Sequence, residues 1–146
     1  MLPLFFYGVL MSGLASGRMA ELVALLEPGL AGTTRGRLYA VPDRRGHYPL
    51  LVADPAGEPV HGVVHRPGPA FNAAALAELD RFEGYLPDDP AGSAYLRRPV
   101  EVSLDGTMVS CDAYLAHRSR PPGTIPVPHG DFLRYLAETG AAPLPG

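Results

Sequence analysis

The chain has 146 residues, enough for one domain with a buried core, and its 47% hydrophobic and 18% charged content excludes a disordered tail. All 12 basic residues are arginine, which excludes a Schiff-base lysine and a P-loop lysine. A formal charge of −3, with basic residues no denser than the pairs Arg44-Arg45 and Arg97-Arg98, argues against nucleic acid as a partner. The lone Cys111 rules out an intrachain disulfide or a cysteine zinc site, as suits a reducing, cytoplasmic setting.

Glycine and proline, 17 of each, favour short elements joined by turns over a helix bundle. Residues 1–8 are apolar but lack a basic n-region and break at Gly8, too short for a signal peptide or a membrane span. They predict a buried strand over 2–7, followed by a loop over 9–17 that contains Gly13 and Gly17. Met19, Leu22, Val23 and Leu26 recur at i, i+3, i+4 and i+7, predicting an amphipathic helix over 18–27 that stops at Pro28-Gly29. Strands are predicted over 35–41, 48–53 and 59–66, the last with Val60, Gly62 and Val64 on one face and His61, Val63 and His65 on the other.

A second helix is predicted from Asn72, its N-cap, to about Glu83, with Gly84 at C′. A loop over 85–93 precedes two strands, 95–104 and 107–116, that pair as a hairpin around Asp105-Gly106. Residues 118–128 are rich in Pro and Arg and are expected on the surface. Asp131 caps a last helix to about 138, ended by Gly140. The tally is about six strands and three helices interspersed, with no repeat or linker, hence one α+β domain over 1–146.

On a helical wheel Leu76 and Leu79 define the apolar arc of the second helix, with Phe82 at its edge. Glu83 projects between them, while Glu78 and Arg81 face water. A carboxyl aimed at the core is costly to ionise, and the helix C-terminus disfavours negative charge, so both effects raise its pKa toward the range useful for acid–base catalysis. A frayed last turn would instead release Glu83 to solvent as a capping residue, and both readings stay open at this point. Asp80 lies near the same arc and is the weaker candidate; it equally suits an acceptor for the Tyr95 or Arg97 region.

His61 and His65 lie about 13 Å apart along a strand, too far to share one ion without a bend, so surface histidines are expected and no metal site. His129 reads as a turn residue rather than a base. Ser12 and Ser16 lack a Gly-x-Ser-x-Gly elbow, which argues against a serine hydrolase. Tyr7 and Tyr48 read first as core packing, whereas Tyr95 and Tyr114 suit packing and a pocket wall equally.

Several short motifs, in order along the chain, resemble the γ-glutamylcyclotransferase-like superfamily, which includes γ-glutamylamine cyclotransferases and the avirulence-induced plant proteins. They are Phe5-Phe6-Tyr7-Gly8-Val9-Leu10, Gly36-Arg37-Leu38-Tyr39, Tyr48-Pro49-Leu50, Leu79-Asp80-Arg81-Phe82-Glu83-Gly84, Tyr95-Leu96-Arg97-Arg98-Pro99-Val100 and Ala113-Tyr114. The resemblance runs from Leu4 to about Phe132 and implies a small mixed β-barrel with packed helices and a cavity at its mouth. It also implies a reaction in which the α-amine of a γ-glutamyl group attacks its own γ-carbonyl, giving 5-oxoproline and releasing an amine or amino acid.

Carried over by position, Glu83 would be the catalytic acid/base, and the backbone N–H groups of Tyr7, Gly8, Val9 and Leu10 would hold the glutamyl end. Tyr48, Tyr95 and Tyr114 would line the pocket, since the family places aromatic hydroxyls there. The family loop often reads Tyr-Gly-Thr-Leu; Val9 stands at the threonine position and keeps its N–H. The expected partner is a small γ-glutamyl compound, with no cofactor, metal, nucleic acid or membrane. The leaving-group side is expected to be lined by the loops 85–93 and 118–128. A non-catalytic module binding a small acid or amine in the same pocket is the alternative reading.

Overall fold

The computed structural model describes residues 1–8, 10 and 15–144. Seven strands and three α-helices run in the order β1 (Leu4–Phe6), α1 (Gly17–Ala24), β2 (Leu30–Val41), β3 (Tyr48–Ala53), β4 (Glu58–His65), α2 (Ala73–Phe82), β5 (Tyr95–Leu104), β6 (Thr107–Ala116), β7 (Ile125–Pro126) and α3 (Phe132–Thr139). Neighbours in the order β2-β4-β1-β6-β5 pair, and β5 pairs again with β2, closing a five-stranded barrel to which β3 and β7 add along β2. Among the described strands only β1 and β6 pair in parallel, so the barrel is mixed. Closure removes the barrel's open edges, which would otherwise leave backbone N–H and C=O groups unpaired.

Local chemistry accounts for most boundaries. The β5–β6 turn places Asp105 at φ 50° and Gly106 at φ 80°, as a two-residue type I′ hairpin requires. Asn72 accepts from the Ala75 N–H at the start of α2, and Asp131 accepts from Arg134 at the start of α3. Gly84 and Gly140 adopt the left-handed conformation just past their helices.

Two differences from the sequence reading have tertiary causes. β2 begins at Leu30 rather than at 35, because residues 30–34 find partners on β4 that their mixed composition does not advertise. β7 is an added strand in the segment expected on the surface: its two residues are exposed, as expected, but pair with Tyr39 and Ala40.

β1 lies between two apolar clusters. Phe5 and Tyr7 point to one, with Leu38, Leu51, Val60, Val64, Val102 and Cys111 inside the barrel and Phe132, Tyr135 and Leu136 of α3. Leu4 and Phe6 point to the other, with Met19, Leu22 and Val23 of α1 and Ala75 and Leu79 of α2. Burial on both faces explains why this strand reads as an unbroken apolar run rather than an alternation. Fully burying Phe5 contributes about 2 kcal/mol. Outside the barrel, Arg18 of α1 grips Glu78 of α2 through two hydrogen bonds of 2.7 and 2.9 Å, so Glu78 is engaged rather than simply solvated.

Candidate active site

β1 delivers Tyr7, Gly8 and Leu10 to the edge of a cavity of about 450 Å³. Across it stand Phe82, Glu83 and Gly84 from the end of α2, Tyr48 and Pro49 from the start of β3, Ala94 and Tyr95 entering β5, and Tyr114 of β6. Gly8 is needed for this assembly: a Cβ there would come within 2.2 Å of the Pro49 ring. Val9 lies outside the described residues.

Glu83 is the residue after α2, in a right-handed conformation at φ −79° and ψ −2°, and its N–H still bonds to the Leu79 carbonyl at 3.0 Å. The last turn therefore does not fray. Among the described residues no donor hydrogen-bonds the Glu83 carboxyl, and burial raises its pKa from 4.5 to about 7. The residue as a whole is half-buried and lines the cavity.

The tyrosines divide by what their hydroxyls do. Tyr7 donates to the Tyr114 carbonyl, Tyr95 to the Pro49 carbonyl at 2.7 Å, and Tyr114 to Asp80 Oδ1 at 2.7 Å. Burial raises the pKa of each, and the nearby Glu83 charge adds to the effect. All three stay neutral where Glu83 titrates, and they brace the wall. The Tyr48 hydroxyl has no such acceptor among the described residues; burial and then the Asp43 charge raise its pKa. Tyr48 thus lines the cavity with a hydroxyl that has no partner among the described residues, although its sequence position read first as packing.

Behind the wall, Asp80 is the buried acid of α2, at 4% exposure. Arg97 Nε donates to its Oδ1 at 2.9 Å and a terminal nitrogen to Oδ2 at 3.4 Å, while the other terminal nitrogen reaches Asp112 at 3.0 Å. The guanidinium also lies 5.5 Å from the centre of the Tyr85 ring. Asp80 is an acceptor for the Arg97 region, one of the two roles its sequence position suggested.

Other expectations need correction. His65 is buried at 2% exposure, against the expectation of a surface histidine: its Nδ1 lies 2.8 Å from the Glu27 carbonyl and its ring packs on Phe6. The α1–β2 connection covers that face of β4, which strand alternation alone cannot reveal. His61 is exposed, and His129 is a turn residue whose Nδ1 accepts from the Asp131 N–H at 3.2 Å. Among the described residues no group of three or more His, Cys, Asp or Glu side chains is placed to hold a metal ion, and no helix is long and apolar enough to cross a membrane.

The loops 85–93 and 118–128 do not line the cavity. The first folds on itself, with the Ser93 hydroxyl taking the Leu86 N–H at 2.8 Å and donating to the Asp89 carbonyl at 3.0 Å; the second is tied to it by Arg118 on the Gly92 carbonyl. Among the described residues its exposed lining instead includes Asp43 and Arg45 in the β2–β3 turn and Phe82, and half-buried Leu144 also walls it. Asp43 signals its turn in the sequence, but nothing local shows that the turn overhangs a cavity.

A family model described as "Gamma-glutamyl cyclotransferase, AIG2-like" matches residues 4–134. No curated protein matches the chain. Among solved structures, YkqA from Bacillus subtilis is 18% identical with a TM-score of 0.67 over 95% of this chain, which spans only 42% of YkqA. An AIG2-like protein from Mus musculus is 23% identical with a TM-score of 0.59, over 83% of this chain and 80% of that one. A gamma-glutamyl cyclotransferase is 17% identical with a TM-score of 0.58, over 99% and 89%. At these identities the structures speak for a shared fold. The family match extends from β1 into α3, and the chain belongs to the γ-glutamyl cyclotransferase, AIG2-like family.

Proposed function

We propose that this protein cyclises a γ-glutamyl amine or γ-glutamyl peptide to 5-oxoproline, with Glu83 as the acid/base. The observation that carries the reading is a carboxyl with no donor among the described residues, its pKa raised to about 7, on a residue that lines the same cavity as the end of β1. The Glu83 carboxylate takes a proton from the substrate's α-ammonium. The freed amine attacks the γ-carbonyl carbon, forming the ring C–N bond and a tetrahedral oxyanion. Glu83 returns its proton to the leaving nitrogen, and the carbonyl reforms as the bond to that nitrogen breaks. The Glu83 carboxylate then takes the second proton from the ring nitrogen and passes it to the released amine, which departs as an ammonium. The step balances with no other reactant.

Ring closure is intramolecular, so holding the glutamyl chain folded supplies much of the acceleration. In this reading the backbone N–H groups of the Tyr7-Gly8-Val9-Leu10 turn take the glutamyl carboxylate or the oxyanion, and Tyr48 offers its hydroxyl. Tyr95 and Tyr114 shape the pocket.

The test is 5-oxoproline release from a panel of γ-glutamyl amines and γ-glutamyl dipeptides. Glu83→Gln, which keeps the shape, is expected to lower kcat/KM by about 10²–10⁴-fold. Wild-type kcat/KM rises as pH increases through about 7, because the carboxylate is the base, and that inflection disappears in the variant. Activity that survives Glu83→Gln removes Glu83 from the role. Binding of glutamyl compounds without turnover of any donor would establish the alternative, a non-catalytic module.

A further inference from the structure

We infer that the mouth of the cavity selects donors whose leaving group is an amino acid with a free α-carboxylate, read by Arg45, over donors that release a simple amine; this rests on the cyclotransferase reading above. Arg45 is the one cation among the described residues that line the cavity; the other charged groups there are Glu83 within and Asp43 at the rim.

The turn that carries Arg45 is held in place. Asp43 Oδ1 accepts the Arg45 N–H at 2.9 Å, which fixes the backbone, while its contact with Arg45 Nε is long, at 3.5 Å. The two terminal nitrogens of the guanidinium meet no acceptor among the described residues, leaving a fork of the shape that takes a carboxylate through two parallel bonds. On its far side the turn is laced to the C-terminal segment: His47 N–H bonds to the Ala142 carbonyl and Leu144 N–H to the His47 carbonyl, both at 2.8 Å. Gly46, at φ 141°, permits the approach, since a Cβ there would lie 2.5 Å from the Pro143 oxygen. The same lacing brings Leu144 to the mouth beside Phe82, which is 38% exposed.

Charge and shape agree on the occupant. A γ-glutamyl dipeptide carries two carboxylates. If the glutamyl end is held at the β1 turn, the second carboxylate lies outward, where Asp43 and an ionised Glu83 would repel it without a cation. An amine leaving group has nothing to give Arg45, and a diamine would be repelled by it. The exposed Phe82 ring and Leu144 offer an apolar side chain a surface to cover.

The test compares γ-glutamyl-L-leucine with γ-glutamyl-isoamylamine, which differ only in the leaving group's carboxylate. The Arg45 side chain is 76% exposed, so the effect is screened and modest. The ratio of kcat/KM, dipeptide over amine, is expected to be about two to five in the wild type. It falls toward one in Arg45→Gln, falls below one in Arg45→Glu, and shrinks with added salt. A wild-type ratio near one, or a ratio unchanged in Arg45→Gln, overturns the inference while leaving the cyclotransferase reading intact. If the wild type turns over neither compound nor any other donor of the panel, that reading fails, and calorimetric binding of the same pair decides the inference. Tighter binding of the dipeptide that Arg45→Gln abolishes would sustain it; equal or absent binding would end it. Thermal melts of both variants verify that the exposed substitution leaves the fold in place.

Discussion

Asp80 and Glu83 lie three residues apart at the end of α2, and their carboxyls meet opposite surroundings. Asp80 accepts from Arg97 twice and from the Tyr114 hydroxyl, so its charge is buried and fully answered. Glu83 faces a cavity, accepts from no donor among the described residues, and holds its proton to about pH 7. Desolvation acts on both, on Asp80 in the interior and on half-buried Glu83 at the cavity wall; compensation separates them. A compensated acid is part of the scaffold, while an uncompensated one in a cleft is poised to exchange protons. The two are linked, since Asp80 holds Tyr114, whose carbonyl in turn receives the Tyr7 hydroxyl at the edge of the cavity.

The contrast breaks first, and most visibly, in kinetics. Glu83→Gln is expected to remove about 10²–10⁴-fold of kcat/KM with the fold retained; a comparable loss of kcat in properly folded Asp80→Asn would erase the distinction. Stability inverts the order. Asp80→Ala strands the Tyr114 hydroxyl and leaves Arg97 with Asp112 alone, and is expected to cost about 3 kcal/mol in denaturant unfolding.

A further stability effect concerns Glu83 and depends on pH. Its folded pKa of about 7 exceeds the ordinary 4.5, so the folded state binds the extra proton between those values. Its contribution is present below pH 4.5 and lost as pH rises to about 7, amounting to about 3 kcal/mol at most. Glu83→Gln should therefore melt higher than wild type at pH 8 and alike at pH 4, and a flat difference would show that water already solvates the carboxyl. The smallest effect sharpens the description of the wall. Tyr95→Phe removes the bond to the Pro49 carbonyl and should cost about 1 kcal/mol, seen as a Tm lower by about 2–4 °C.

The two acids were not equally legible. Glu83 stood out because helix period and the Gly84 stop place a carboxyl on the core side of the chain, and both are local features. Even so, the apolar arc was only partly right. Leu79 and Ala75 are buried, whereas Phe82 opens onto the cavity mouth and Leu76 is half-covered, because α2 packs on α1 and β1 rather than against a uniform core. Asp80 could be placed near the arc, but its depth depends on Arg97, 17 residues on in another element. Arg45 stands in the sequence only as half of an arginine pair, because the cavity it lines is completed by distant residues such as Phe82 and Leu144.

What the sequence by itself determined is whatever a few neighbouring residues can enforce: the hairpin at Asp105-Gly106, the caps at Asn72 and Asp131, the stops at Gly84 and Gly140, the β1 run and the candidacy of Glu83. The tertiary structure alone decided the closure of β2 on β5, the burial of His65, the compensation of Asp80 and the overhang of Arg45. Backbone conformation responds to contacts within a turn or two, so it is written locally. Desolvation and charge pairing depend on which distant groups are brought together, and that is set only when the barrel closes.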